Sequence, residues 1–333
     1  MSLLIDSFGR QHRDLRVSLT DRCNLRCSYC MPHDFSQWLP GEHLLSTDEL
    51  MTVIEVAVDH GITGIRLTGG EPLLRPDVVD IVARIAALPT PPRIALTTNG
   101  LRLPALARPL REAGLERVNI SLDTLDPERF RRLTYRDRHA DVLAGIAAAQ
   151  DAGLLPVKVN AVLMRDINED EAVPMLRHAL ANGWSLRFIE QMPLDAQGTW
   201  DRSAMVTADD IFALLSEQFH LAALPTRGSA PAEEFLVDGG PATVGIIASV
   251  SKPFCAACDR LRLTADGQVR NCLFAQDETD VRAVLRDPAL DESARRARVA
   301  ELLGLSVRAK LPGHGINDPG FLQPARPMSA IGG

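Results

Sequence analysis

Cys23, Cys27 and Cys30 set three thiols within eight residues, directly after a short apolar run. Three thiolates can hold three irons of a cubane cluster and leave a fourth iron free to bind a substrate, whereas four thiolates would close the site into an electron carrier or a structural centre. An open iron points to chemistry. A structural zinc site completed by His12 or His33 is compatible with the same spacing. A second trio, Cys255, Cys258 and Cys272, lies far downstream, and no cysteine occupies the 224 positions between the two groups. Spacing leaves a second cluster and a histidine-completed zinc knuckle equally open there. Groups of three cannot pair completely within themselves, so both trios suit metals better than disulfides and fit a reducing compartment.

Other polar residues stand where chemistry could use them. Thr68-Gly69-Gly70-Glu71-Pro72 ends an apolar run, and its glycines would let backbone carbonyls approach a ligand closely. Arg16, Arg66 and Lys158 interrupt apolar runs. A cation buried there needs an anionic partner. Arg270, just before Cys272, is a further candidate for the same cavity.

The elements that must position these residues read as six βα units. Apolar or β-branched runs at 15–19, 64–68, 93–98, 117–122, 156–164 and 185–190 alternate with helical patterns such as 47–60. Such a succession predicts a parallel sheet, either doubly wound or a curved partial barrel, with ligand-binding loops at the carboxyl ends of its strands. After Pro193 the rhythm weakens, and a smaller C-terminal domain is expected from Leu194. The final stretch, 316–333, is rich in proline and glycine and reads as an extended tail.

Composition sets limits on the function. The 333 residues are 46% hydrophobic and 24% charged, with a formal net charge of −7, which fits a folded soluble protein and disfavours a nucleic-acid or anionic-membrane partner. No signal-peptide pattern and no run long enough to span a bilayer occurs, so the cytoplasm is the expected location.

The run Asp21-Arg22-Cys23-Asn24-Leu25-Arg26-Cys27-Ser28-Tyr29-Cys30-Met31-Pro32 resembles the radical S-adenosylmethionine (radical SAM) signature, with aromatic Tyr29 before the last cysteine. Together with Cys255-x2-Cys258-Asp259-Arg260-Leu261-Arg262-Leu263-Thr264 and the terminal Ile331-Gly332-Gly333, it makes the chain resemble the GTP 3′,8-cyclases of molybdopterin biosynthesis from Gly9 to its end.

That resemblance implies a partial (βα)6 barrel of the radical SAM type over 1–193, a C-terminal domain with a second cluster over 194–315, and a tail over 316–333. It implies a lyase with two [4Fe-4S] clusters, in which a 5′-deoxyadenosyl radical removes the ribose 3′ hydrogen of GTP and the sugar carbon attacks guanine C8. Tyr29, Gly70, Ser121 and Met192 match contacts to S-adenosylmethionine. Arg16, Arg66, Thr97, Lys158, Arg260, Leu261 and Arg262 match GTP contacts. Arg260, Arg262, Gly332 and Gly333 would act at the reacting centre, with the tail inserted into it. The implied partners are a low-potential electron donor such as a flavodoxin or ferredoxin, and the next pathway enzyme, cyclic pyranopterin monophosphate synthase. A monomer or a homodimer is expected. The chain departs from the family at Asp259, where Asn is common, and at Asp166, where Gly is usual. A radical peptide maturase and a non-enzymatic metal protein are the rival readings.

Overall fold

The computed structural model describes residues 2–195, 198–225 and 227–332. Its first half alternates strand and helix as the periodicity predicts: β1 (Asp14–Ser18), α1 (Thr47–Asp59), β2 (Gly64–Thr68), α2 (Val78–Ala86), β3 (Arg93–Thr98), α3 (Leu103–Glu112), β4 (Arg117–Ser121), α4 (Pro127–Thr134), α5 (His139–Asp151), β5 (Lys158–Leu163), α6 (Ala172–Asn182) and β6 (Ser185–Glu190). Local signals start the helices. Ser46 accepts from the Glu49 backbone N–H and the Glu49 carboxylate accepts from the Ser46 backbone N–H, a capping box at the head of α1.

The remainder continues the same sheet. After α7 (Ala208–Ser216) come β7 (Leu221–Ala223), β8 (Glu233–Val237), β9 (Thr243–Ile247), β10 (Arg260–Leu263), β11 (Gln268–Arg270) and β12 (Thr279–Asp280), then α8 (Arg282–Leu285), α9 (Glu292–Arg308) and α10 (Met328–Ile331). The order is β12-β11-β10-β1-β2-β3-β4-β5-β6-β9-β8-β7, with β1 to β6 parallel, β10 parallel to β1 and β9 parallel to β6. The two ends do not pair, so the (βα)6 unit is a partial barrel. Among the described residues, no helix is long and apolar enough to cross a membrane.

Strand alternation gives the sheet two unlike faces. Leu15, Val17, Ile65, Leu67, Leu96, Val118, Ile120 and Phe188 are buried in one apolar core with the helices. Their neighbours one position away, Arg16, Arg66, Thr97, Asn119 and Arg187, turn to the opposite face and line a cavity.

Two local expectations change. The last stretch is not extended to its end: Met328–Ile331 form a helical turn, and Ile316 and Ile331 are buried with Leu194, Met205, Val250 and Phe274. At Asp166 the backbone has φ of 59°, in the left-handed region where glycine is at ease and aspartate is tolerated, so this departure from the family leaves the turn intact.

Candidate active site

The concave face holds two adjoining cavities, of about 280 Å³ and about 150 Å³, that share Tyr29, Thr97, Ser121, Asp123 and Met328 in their walls. The cysteine trios sit at opposite ends. Cys23, Cys27 and Cys30 follow the carboxyl end of β1 and line the smaller cavity. Cys255 and Cys258 precede β10, which runs parallel to β1 with Asp14 opposite Arg260, so they lie near the amino end of β1. Cys272 joins them because β10 and β11 form a hairpin, with Arg262 opposite Arg270, and all three line the larger cavity. β1 has five residues, on the order of 15 Å of strand, between one trio and the other.

At the first trio, Tyr29 donates its hydroxyl to Asp123 Oδ2 at 2.7 Å, and Asp123 also accepts from Val162 N at 2.9 Å. Burial raises Asp123 to about 6 and pushes the Tyr29 phenol well above its ordinary value. Burial likewise pushes the Cys23 and Cys30 thiols up, to about 11 and about 12. Glu71, fully buried, accepts from Leu73 N, Thr98 Oγ1 and Asn99 N at 2.7–2.9 Å and ties the ends of β2 and β3 together. Gly70 lines the smaller cavity, yet its missing side chain serves a different contact from the one expected. A Cβ there would fall 2.3 Å from the Asp21 carbonyl oxygen, and one on Gly69 2.4 Å from that of Thr20. The glycines let the chain entering the cysteine loop pack against them.

The second trio has a different charge environment. Arg260 Nη2 donates to Cys258 Sγ at 3.2 Å, and Lys310 Nζ reaches the same sulfur at 3.5 Å. Burial pushes the Cys258 thiol up, but these two cations outweigh it and bring it down to about 7. Arg260 also lies over the Phe254 ring at 4.9 Å.

Between the trios runs a cationic belt. Arg16 stands beside Arg66 on one side and Arg262 on the other, in register across β2, β1 and β10. Burial, with Arg16 beside it, lowers Arg66 to about 9. Among the described residues its Nε and Nη1 have no hydrogen-bond partner. Asn119 Oδ1 and Asn160 Oδ1, in the same cavity wall, are likewise unpartnered. Such groups are costly to bury unless a ligand completes them.

Comparison with known proteins identifies this arrangement. The radical SAM superfamily model matches residues 17–179, and the Molybdenum Cofactor Synthesis C model matches residues 184–315. A protein of Streptomyces coelicolor named GTP 3′,8-cyclase is 58% identical, over 99% of this chain and 96% of its own length. GTP 3′,8-cyclase 2 of Mycobacterium tuberculosis is 55% identical, over 99% and 92%. The chain belongs to the GTP 3′,8-cyclase family. Solved structures show the fold alone. Streptococcus suis SuiB bound to precursor peptide SuiA gives a TM-score of 0.58 at 12% identity, over 86% of this chain and 66% of that one. Native anSMEcpe with bound AdoMet gives 0.55 at 12%, over 87% and 79%.

Membership of the radical SAM superfamily implies a [4Fe-4S] cluster and S-adenosylmethionine, and the first trio fits both. Its thiols are free, and Leu25 N directs a hydrogen bond at Cys23 Sγ at 3.4 Å, as thiolate ligands require. Among the described residues, no three His, Cys, Asp or Glu side chains converge as they would on a single ion. His12 Nε2 bonds Asp6, the His33 ring packs against Tyr135, and neither histidine lines the cavity of the first trio.

Most of the family's expected contacts meet in the two cavities: Arg16, Tyr29, Arg66, Thr97, Ser121, Met192, Arg260 and Arg262 line the larger one. Leu261 and Lys158 line neither cavity. Leu261 is fully buried on the helix-facing side of β10, and Lys158 begins β5 beside Asn119. Gly332 accepts a hydrogen bond from Arg262 Nη1, whereas Gly333 lies outside the described residues. Arg270 does not face the cavities and instead pairs with Glu278 and the Ala275 carbonyl. Arg187, Asp123 and Lys310 escaped the sequence reading. Arg187 carried the same signal as Arg66, a cation within an apolar strand.

Proposed function

We propose that this chain converts GTP to (8S)-3′,8-cyclo-7,8-dihydroguanosine 5′-triphosphate, the first step of molybdopterin biosynthesis, in the cytoplasm. Cys23, Cys27 and Cys30 hold one [4Fe-4S] cluster, and Cys255, Cys258 and Cys272 hold a second. When bound, the first cluster and S-adenosylmethionine supply the radical chemistry that removes a hydrogen atom from the ribose. Tyr29, Gly70, Ser121 and Met192 orient S-adenosylmethionine, with Tyr29 held in place by Asp123.

Arg16, Arg66, Arg260 and Arg262 receive GTP, whose triphosphate suits guanidinium forks. Thr97, in the wall of both cavities, borders the two ligands. Lys158, half-buried near Arg187 and Arg117, adds positive potential from below, and Leu261 keeps Arg260 and Arg262 in register. Arg262 and the Gly332 carbonyl close the reacting centre with Gly333. On this reading 1–193 generates the radical, 194–315 holds the substrate and 316–333 closes the cavity against water. A low-potential flavodoxin or ferredoxin supplies electrons, the product passes to cyclic pyranopterin monophosphate synthase, and the enzyme works as a monomer or homodimer.

The observation that carries this reading is Arg66, half-buried between two cysteine trios, with two buried nitrogens, Nε and Nη1, unpartnered among the described residues. The test is anaerobic reconstitution followed by reductant, S-adenosylmethionine and GTP. Formation of 5′-deoxyadenosine together with the cyclised nucleotide is expected. Cleavage of S-adenosylmethionine with GTP recovered intact assigns another radical substrate, and zinc in both trios removes the radical reading altogether.

A further inference from the structure

Lys310 is a buried cation that the GTP-binding belt does not use. Its residue is only 5% exposed, and its ammonium makes three contacts: Cys258 Sγ at 3.5 Å, the Arg260 carbonyl at 2.8 Å and the Asn271 carbonyl at 2.7 Å. Those carbonyls flank the β10–β11 hairpin on the side that carries Cys258 and Cys272, so Lys310 is fixed at the base of the second trio. None of those three contacts is a carboxylate, and the one that can carry negative charge is the Cys258 sulfur. A buried ammonium without a carboxylate is stable only where another negative group stands, and thiolates on an iron–sulfur cluster are such a group.

The first trio is surrounded in the opposite sense. Two buried carboxylates, Glu71 and Asp123, line the smaller cavity together with Cys23, Cys27 and Cys30. Hydrogen bonds to sulfur and positive charge favour the reduced, more negative state of a cluster, and buried carboxylates disfavour it.

We propose that Lys310 is a positioning residue that holds the second cluster at a higher reduction potential than the first, so that the first electron entering the loaded protein settles on the second. The proposal rests on the two-cluster reading above. It gives the trios different electronic roles: the carboxylate-flanked site stays strongly reducing, and the lysine-flanked site takes and keeps an electron more readily. Arg260, whose Nη2 also donates to Cys258, reinforces the effect but belongs to the substrate belt. Lys310 lines neither cavity, so its removal separates cluster tuning from substrate contact.

The test is a dithionite titration of the anaerobically reconstituted full chain, followed by electron paramagnetic resonance without S-adenosylmethionine or GTP. Replacing each trio by alanine in turn assigns the two signals. In the wild-type chain the second cluster is reduced first. In Lys310→Gln its midpoint potential falls while that of the first is unchanged, and Lys310→Arg, which keeps the charge, stays near wild type. A first cluster that reduces before the second in the wild-type chain overturns the proposal without any variant. So does a Lys310→Gln chain with both potentials unchanged. A Lys310→Gln chain that assembles only one cluster also overturns it, since Lys310 is then needed for assembly and not for potential. Should the wild-type second trio hold no iron, the two-cluster reading fails first, a result distinct from two clusters in the wrong order.

Discussion

Arg262 Nη1 donates to the carbonyl of Gly332, 70 positions later, and so holds the end of the chain against the centre of the sheet. Gly332 has φ of 89°, and a Cβ there would sit 3.0 Å from both Ser18 Cβ and Thr68 Cγ2 at the ends of β1 and β2. Gly332→Ala is expected to cost about 2 kcal/mol of tail docking, from left-handed backbone strain plus crowding. Product formation should then fall tenfold or more with iron content unchanged. Wild-type turnover by the alanine variant would show that the docked tail is not needed for reaction.

A second anchor holds the same tail further back. Arg326 bonds both carboxylate oxygens of Asp266, at 3.1 and 2.9 Å, and its Nε meets Glu278 at 2.7 Å. The pair is partly shielded, which sets Arg326→Gln between an exposed and a buried ion pair, at about 2 kcal/mol. Limited proteolysis should cut the variant within 311–326 faster than the wild type, and Asp266→Asn should reproduce the effect. Equal cleavage rates would assign docking to the apolar contacts of Ile316 and Ile331 alone.

Within the cationic belt, position predicts effect. Arg66 lines the cavity with unpartnered N–H groups, so Arg66→Met should weaken GTP binding roughly 10- to 100-fold, the range for losing a charged hydrogen bond. Lys158 lines neither cavity and acts only at longer range, so Lys158→Met should weaken it by less than roughly fivefold. Equilibrium binding of GTP to the two variants checks this order. A larger loss at Lys158 would mean that its side chain swings into the cavity when GTP is bound.

The belt and the first trio were legible because their signals are local. The alternation of Arg16 with Leu15 and Val17, and of Arg66 with Ile65 and Leu67, assigns cations to one face and apolar residues to the other. By the same alternation Leu261 faces away from the cavity between Arg260 and Arg262, although family resemblance groups all three. The second trio was legible as a metal site, but spacing left a cluster and a zinc knuckle open, because what assembles it is pairing at long range. β10 joins β1 after a separation of more than 240 residues, and although Asp266-Gly267 marks the turn of the hairpin between Cys258 and Cys272, that local signal does not say which strand the hairpin joins. Lys310 lies still further outside any pattern: a single lysine between Ala309 and Leu311 becomes significant only once α9 has carried it to Cys258.

Another brace at the second trio gives a prediction in pH. Arg10 donates to the carbonyls of Cys255 and Leu311 at 2.8 Å each, and Asp6, which holds Arg10 Nε at 2.6 Å, also faces His12 Nε2 at 3.3 Å. Burial, and then the charge on Lys310, lower His12 from 6.5 to about 4. An unfolded chain therefore protonates His12 as the pH drops below about 6.5 while the folded chain resists until about 4, so the unfolded state binds more protons in that window. Stability from this group is fully present above about 6.5 and is lost as the pH falls towards 4, by about 3 kcal/mol at most. Asp6, whose hydrogen bonds to Arg10 and Phe8 outweigh burial and lower it to about 2, adds its own loss only below its ordinary value of 3.8. Urea unfolding of the cluster-free chain from pH 7 to pH 4 should show the wild type losing more stability than His12→Gln, which has no proton to gain. Equal losses in the two proteins would mean that His12 is protonated in the folded state and that Asp6 holds it as an ion pair.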